Sequence, residues 1–263
     1  MKFKTILKTA LSSAFITLLF IYSGCGEDST TNNNGTTGGG YHPTLNFTVG
    51  QIFVYTTDTL WPNGTVVRKR WKTSHTVLAQ TPIGGQNCYP FSGTTFDTTT
   101  NQTIPELYYV RYDQSAGKYY QYGLQQLINP GAPLKWDVVA DFDAARGTNY
   151  NIATINYSVP VPGFGNVPFS GPLTGKIDST TIQSTNNPSE TVPCYHVEML
   201  ADVSGTVGGI TLTAKIYVDY YIGCVNPIGL VELKSRPFNI IIQGNPNPVQ
   251  FGGYDRKLKT HTP

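Results

Sequence analysis

Val192-Pro193-Cys194-Tyr195-His196-Val197-Glu198-Met199-Leu200-Ala201-Asp202-Val203 is the stretch whose reading decides the fold. Tyr195, Val197, Met199, Ala201 and Val203 recur at every second position, with His196, Glu198 and Asp202 between them. A strand turns successive side chains to opposite faces, so this spacing predicts one apolar and one polar face. Ser204-Gly205-Thr206-Val207-Gly208-Gly209 then supplies a turn. Beyond it Ile210, Leu212, Ala214, Ile216, Val218, Tyr220 and Ile222 resume the alternation. The two runs make a long amphipathic hairpin with one face for a core. Parity places Cys194 on the polar face with His196 and Cys224 on the apolar face with Ile222. Side chains pointing apart cannot close a disulfide without backbone movement, so these two cysteines are expected not to be bonded to each other.

The same period extends along most of the chain. Gln51 to Leu60 alternates, Gly64 to Gln80 is β-prone, and Pro62-Asn63-Gly64 between them marks a hairpin turn. Gly84 to Ser92 is a further strand. Leu107 to Leu124 forms a hairpin bent at Ser115-Ala116-Gly117. Its expected register sets Asp113 opposite Lys118 as a salt pair, Tyr112 opposite Tyr119, Tyr109 opposite Tyr122, and Leu107 opposite Leu124. Each such pair contributes about 0.2–1 kcal/mol, so the register is over-determined. Trp136 to Gly147 is the one helical candidate, with Val138, Val139, Phe142 and Ala145 on a face and Gly147 as its stop. Tyr150 to Val159 reads as a strand. Pro160 to Pro172, with four prolines and three glycines, reads as a long irregular loop and the natural place for a mouth or lid. Leu173 to Ser184, Leu230 to Gln243 and Gln250 to Lys257 close the pattern as strands. The expectation is all-β: one domain of roughly ten to twelve antiparallel strands, in a meander, barrel-like sheet or sandwich, with at most one short helix.

Charged residues are 13% of the 263, about half the usual share of roughly 25%. The formal charge is +2, and becomes −1 once Lys2, Lys4 and Lys8 are removed. A near-neutral chain has no electrostatic reason to bind nucleic acid. There are four cysteines, with no CxxC and no Cys/His spacing that would hold zinc.

Those three lysines precede an almost wholly apolar run, Ala10 to Tyr22, which ends in Ser23-Gly24-Cys25. Charged, greasy and small is the order of a secretory signal, and the run is shorter than the roughly 20 residues of a spanning helix. Gly26 to Gly40 lacks any apolar residue and reads as a flexible tether. The expected organisation is a signal peptide over 1–24, an anchor cysteine and tether over 25–40, and a β-rich domain over 41–263.

Ser23-Gly24-Cys25 resembles the lipobox of bacterial lipoproteins, with Tyr22 where that family usually has Leu. The resemblance implies cleavage before Cys25, lipidation of Cys25 with diacylglycerol and palmitate-class chains, and membrane partnership through that anchor. Glu27 and Asp28 resemble the surface-export signals of some Bacteroidota lipoproteins, and a solvated linker explains them equally well. Gly50-Gln51-Ile52-Phe53-Val54-Tyr55, Thr191-Val192-Pro193-Cys194-Tyr195 and Gly229-Leu230-Val231 resemble landmarks of Bacteroidota-type lipoproteins, with Phe53 in a position usually held by Trp. Some of those relatives are similar to the lipoprotein-carrier (LolA/LolB) fold, which implies a curved sheet around an apolar cavity.

No nucleophile elbow, zinc-protease motif or calcium-loop spacing occurs, so no catalytic residue, metal ligand or cofactor site is assigned. His196-Val197-Glu198 beside Cys194 could be read as a Cys-His pair, and a solvated polar strand face is the simpler account. Asp137, Asp141 and Asp143 read as solvated charges. Arg68-Lys69-Arg70 and Lys72 straddle Trp71 and read as an exposed edge strand guarded by charge, or as a contact for lipid headgroups or polysaccharide. Trp71, Tyr109, Tyr112, Tyr119 and Tyr122 are the candidate ligand contacts, as an aromatic platform for a sugar or other flat ligand. Sheet packing with hydroxyls in water is the plainer reading. The function expected is a lipid-anchored, non-catalytic binding or structural module of the outer membrane, on its periplasmic or surface face. An apolar-ligand carrier and a secreted hydrolase are the alternatives, and a filled, hollow or cleft interior separates the three.

Overall fold

A computed structural model describes residues 47–124, 133–184, 191–223 and 229–262. The leader, Cys25, the tether, the expected domain start at Tyr41, and Cys224 lie outside the described residues. The strands are β1 (Ile52–Leu60), β2 (Val66–Val77), β3 (Thr81–Ile83), β4 (Gln86–Asp97), β5 (Gln102–Asp113), β6 (Lys118–Tyr122), β7 (Trp136–Asp141) and β8 (Asn149–Val161). They continue as β9 (Gly165–Ser184), β10 (Thr191–Val207), β11 (Ile210–Gly223), β12 (Leu230–Ser235), β13 (Phe238–Ile242), β14 (Val249–Phe251) and β15 (Gly253–His261). The fold is all-β, and the fifteen strands exceed the expected ten to twelve. Twelve lie on one antiparallel path in the order β7-β6-β5-β4-β2-β1-β15-β12-β11-β10-β9-β8, with β3 on β4, and β13 bridging β11 and β14.

The decisive hairpin has the predicted register. Cys194 opposes Gly223 and Val207 opposes Ile210 without a slip between them. Gly208 and Gly209 make the two-residue turn with φ of 57° and 79°, the left-handed pair that a tight hairpin needs. The path curls until its ends meet as a nearly closed barrel. Where β7 meets β8, Tyr150 donates its hydroxyl to the Val139 carbonyl at 2.9 Å. The Tyr150 ring lies flat over Gly175, occupying the space a Cβ would take there. Five connections gather at one end of the barrel, here called the turn end: 61–65, 98–101, 162–164, 208–209 and 243–248. The chain enters at the opposite end, where Gly50 N donates to Val77 O at 2.8 Å.

Several expectations are corrected. Trp136 to Gly147 is no helix: its first half is β7, paired with β6, and its second half turns back with Phe142 N donating to Gly117 O at 2.7 Å. Cross-strand pairing at a sheet's end overrides a weak local helical face. Pro160 to Pro172 is no loop either, but the β8–β9 hairpin turning on 162–164. Pro160, Pro168 and Pro172 stand in register with Asn166, Ser158 and Thr154 across that hairpin, and proline is tolerated in a strand where its missing N–H faces no partner strand. Pro160 is on terminal strand β8, Pro172 lies in the gap between the Leu173–Ala201 and Ser170–Ser204 pairs, and Pro168 lies past the last β10 pair, Phe169–Gly205. β2 is not an edge strand, since it lies between β1 and β4. The β5–β6 register holds from Asp113–Lys118 to Val110–Gln121. The pairing stops there, before Tyr109–Tyr122 and Leu107–Leu124, because the chain leaves β6 through Gly123 at φ 75°. Lys118 pairs with Asp141 on β7 at 3.0 Å rather than with Asp113, which caps its own turn through Ser115 and Ala116.

Apolar side chains from both halves of the sheet path pack in one core. Phe53, Val77, Val110, Val197, Leu212, Leu233 and Leu258 have no accessible surface, so no water-sized space adjoins them. Tyr55, Tyr119, Tyr220 and Tyr254 occupy the same core. Cys194 belongs to this core too, contrary to the parity expectation. Val192 and Cys194 are buried at the start of β10, the buried set switches to odd numbers at Tyr195, and the β9 pairing slips between His196 and Val197. The β10–β11 register runs through this switch unbroken and the extra residue at the slip is Asp178 on β9, so Cys194 is buried without any change in the parity of β10. Cys194 donates its thiol to Val192 O at 3.3 Å.

Candidate functional site

A polar cluster inside this core is what sequence reading missed. On β2, β4 and β5, His75 and Glu106 both lie opposite Gly93. With no side chain on the intervening strand, the two reach over it, and His75 Nε2 meets Glu106 Oε2 at 2.7 Å. Thr95 donates its hydroxyl to Glu106 Oε1, so it must accept from Thr73, its cross-strand partner, at 2.7 Å. The guanidinium of Arg256, wholly buried on β15, donates through Nε to Thr57 Oγ1 at 3.3 Å and stands 5.8 Å from the Tyr55 ring centroid.

The electrostatics follow from burial and these partners. Burial lowers the His75 pKa; the Glu106 carboxylate pulls the other way without restoring it, and Arg256 adds to the lowering. Burial alone would raise Glu106, but the His75 hydrogen bond, the Arg256 charge and Thr95 together hold it below the ordinary carboxylate value. Glu106 is therefore ionised and His75 neutral near pH 7. An ionised carboxylate only accepts, so the His75 proton sits on Nε2. The carboxylate has two donors and the imidazole nitrogen facing it is committed. This is a bridge tying β2 to β5, with no nucleophile attached to it. The one signal for it in the sequence is His75 at an inward position of β2, and nothing local names Glu106 as its partner.

The outer face carries a second network. Lys176, Glu198, Asp219, Lys234 and Asp255 lie directly opposite one another across β9, β10, β11, β12 and β15. Arg236 grips Asp219 at 2.8 Å and Glu198 at 2.9 Å, and His196 Nε2 meets Asp219 Oδ1 at 2.9 Å. The Asp219 carboxyl, though burial opposes it, is held down to about 2 by His196 and Arg236. His196 stacks on Tyr221, with centroids 4.9 Å apart. One strand inward, burial and the Asp255 charge push Glu232 up to about 7, against Lys257 at 3.5 Å.

The candidate ligand contacts are not gathered into one platform. Tyr119 is in the core, and Tyr112 packs edge-on to Phe142 at 6.2 Å. Tyr122 is on the other face, against Trp136 at 5.1 Å, beneath Gly84 of the β3–β4 hairpin. Tyr109 alternates with the inward Tyr108 and Val110 and is half-buried. Trp71 is buried with the Arg70 guanidinium over its ring at 4.6 Å, and Arg70 pairs with Asp97 at 3.4 Å. Of the basic cluster, Arg68 is exposed and pairs with Asp58 at 3.3 Å, and Lys72 is exposed. Asp137 is buried on β7 rather than solvated, with Lys135 at 3.7 Å, because its strand turns it inward. Asp141 is taken by Lys118, and Asp143 stays exposed. Among the described residues no group of three or more His, Cys, Asp or Glu side chains could hold a metal ion.

No protein-family model and no curated protein matches the chain. Among solved structures it is similar to a putative lipoprotein from Parabacteroides distasonis, at 13% identity and a TM-score of 0.47, covering 82% of this chain and 96% of that one. It is similar at the same TM-score to a putative exported protein with a YmcC-like fold from Bacteroides fragilis, at 11% identity, covering 82% of this chain and 97% of that one.

Proposed function

We propose that the chain is an exported lipoprotein anchored through Cys25, whose barrel-like domain is a non-catalytic binding or structural module of the outer membrane. The anchor reading rests on the leader and Ser23-Gly24-Cys25. The observation that carries the non-catalytic reading is the close packing at the core. A carrier needs an apolar space that its ligand can occupy, and Phe53, Val77, Val110, Val197, Leu212, Leu233 and Leu258, one on each of seven strands, have no accessible surface. A hydrolase needs an accessible acid, base or nucleophile, and the buried carboxylate–imidazole pair spends its hydrogen bonds on holding strands together.

The test is cell fractionation of the wild type and Cys25→Ser, with metabolic palmitate labelling. The wild type is expected to label and to stay with outer membranes in high salt, because two or more acyl chains hold where one does not. Cys25→Ser should lose label and become soluble or remain an uncleaved precursor. Sedimentation of Cys25→Ser with membranes after a salt wash would show the anchor reading to be wrong. Saturable uptake of an apolar fluorophore by the folded domain would favour the carrier instead.

A further inference from the structure

The five connections of the turn end and their flanking residues, 61–67, 98–105, 161–167, 206–211 and 241–250, contain not one Asp, Glu, Lys or Arg. That is 38 residues in a chain where charges make up 13%. The same rim carries Val66, Val67, Ile104, Ile210 and Ile241, exposed by 40%, 37%, 50%, 37% and 59%. Exposed aliphatic side chains gathered at one end of a molecule mark an interaction surface. At the opposite end, Asp113 and Lys118 flank the β5–β6 connection, and the β7–β8 connection follows Asp141 and holds Asp143 and Arg146.

We propose that the turn end docks on a lipid bilayer, its aliphatic tips entering the boundary between headgroups and acyl chains. Three observations select a bilayer over other occupants. A charged side chain is the group most costly to bring against acyl chains, which explains why these 38 residues hold none and why Asp97, at the foot of the 98–101 turn, is buried against Arg70, whereas a protein partner tolerates a charged rim. Charges return one step down the strands, where headgroups would lie. Arg68 follows Val67 and pairs with Asp58, and Lys215 pairs with Asp202 at 3.1 Å. The chain length also permits it. Residues 26–46 reach roughly 70–75 Å when extended, against roughly 48 Å for the 14 residues of β11. The rim can therefore meet the bilayer that would hold Cys25, or one facing it. A second copy docked rim to rim would put the two chain entries at opposite ends of the pair, roughly 100 Å apart at the same rise per residue.

The docking does not depend on acylation, so it is tested on the chain from residue 25 onward with Cys25→Ser, which keeps every strand. Flotation with neutral phosphatidylcholine vesicles should recover the protein, and high salt should leave the recovery unchanged. Val66→Asp and Ile241→Asp should each lower the partition coefficient about tenfold, the factor expected when one apolar side chain gives way to a charge. Val49→Asp, exposed at the chain-entry end, should leave partition unchanged, and all three variants should melt with the parent. The proposal is overturned by failure of the parent to float, by flotation only with anionic vesicles and loss of it in salt, or by equal effects of Val49→Asp. It is also overturned if the rim variants change self-association in sedimentation velocity and leave flotation untouched, which would assign the rim to a second copy.

Discussion

Gly93→Ala should be among the most damaging single-atom additions this fold can receive. An ideal Cβ at Gly93 would stand 1.8 Å from Ser74 O, 2.8 Å from its carbonyl carbon and 2.9 Å from His75 Cα. All three are backbone atoms of β2, so no side chain can swing away. β2 and β4 must separate by more than an ångström where they pair as Ser74–Thr94 and His75–Gly93. The added methyl also enters the space through which His75 reaches Glu106. Overpacking of a rigid site costs about 1–3 kcal/mol, and a hydrogen bond to a buried charge contributes about 1.5–3 kcal/mol. The sum, about 2.5–6 kcal/mol with a middle range of about 3–5, is a large part of the roughly 5–15 kcal/mol that a domain has. At about 2–4 °C per kcal/mol for a domain of this size, Tm should fall by roughly 6–20 °C in calorimetry. Thr94→Ala, at the exposed neighbouring position, should stay within about 0.5 kcal/mol of wild type. A Gly93→Ala protein whose urea midpoint matches that control would refute both the close approach and the bridge over it.

Stability against pH should show two opposed components between about pH 4.5 and 7. His75 is held below its ordinary value of 6.5, so the unfolded chain takes up its proton first and stability falls as pH drops through 6.5; His75→Gln should remove that slope from urea midpoints. Glu232 is held up at about 7, so its carboxyl favours the fold below its unfolded value near 4.5 and loses that contribution as pH rises through 7. Glu232→Gln should make the protein gain stability at neutral pH, and an unchanged slope in either variant would contradict the assignment. Gly175→Ala should push the Tyr150 ring off its seat and break its bond to Val139, raising hydrogen exchange in β7 and β8 with little change in β10. Deleting Thr30 to Gly39 should leave Tm unchanged, because a segment with no apolar residue has nothing to bury.

What was legible in the sequence was whatever depends on neighbours two residues apart. The β10–β11 hairpin, its glycine turn and its inward apolar rows follow from alternation alone, and so does the β5–β6 register near its turn. What was illegible depends on partners far along the chain. β7 looks helical until β6 pairs with it, and the prolines of β8 and β9 look like loop residues until the two strands are seen to pair with each other. Alternation set Cys194 apart from the apolar row of β10, and it does not tell which residues of the other row are covered, as Cys194 is. The candidate aromatic contacts failed to converge for a reason that was on the page: Tyr109 and Tyr112 differ in parity and so must face opposite sides. The His75–Glu106 bridge joins residues 31 positions apart across a glycine, and only the order of three strands reveals it.

The same strand order bears on where function can reside. In the core Phe53, Tyr55, Tyr119, Tyr220 and Leu212 are buried, and His75, Glu106, Thr95 and Thr73 are tied to one another, so these groups serve the fold. The outer wall from β9 to β15 is likewise occupied, since Lys176, His196, Glu198, Asp219 and Arg236 are engaged among themselves. Recognition by such a molecule falls to its ends. One end receives the chain and carries charge; the other is built from Thr, Asn, Gly, Pro and aliphatic residues on short turns. Short turns on long paired strands are stiff, so the rim presents its side chains with little conformational entropy left to lose on contact. Binding at this end is therefore expected to respond to single side-chain changes at Val66, Ile210 and Ile241 far more than to changes in the core that leave the fold intact.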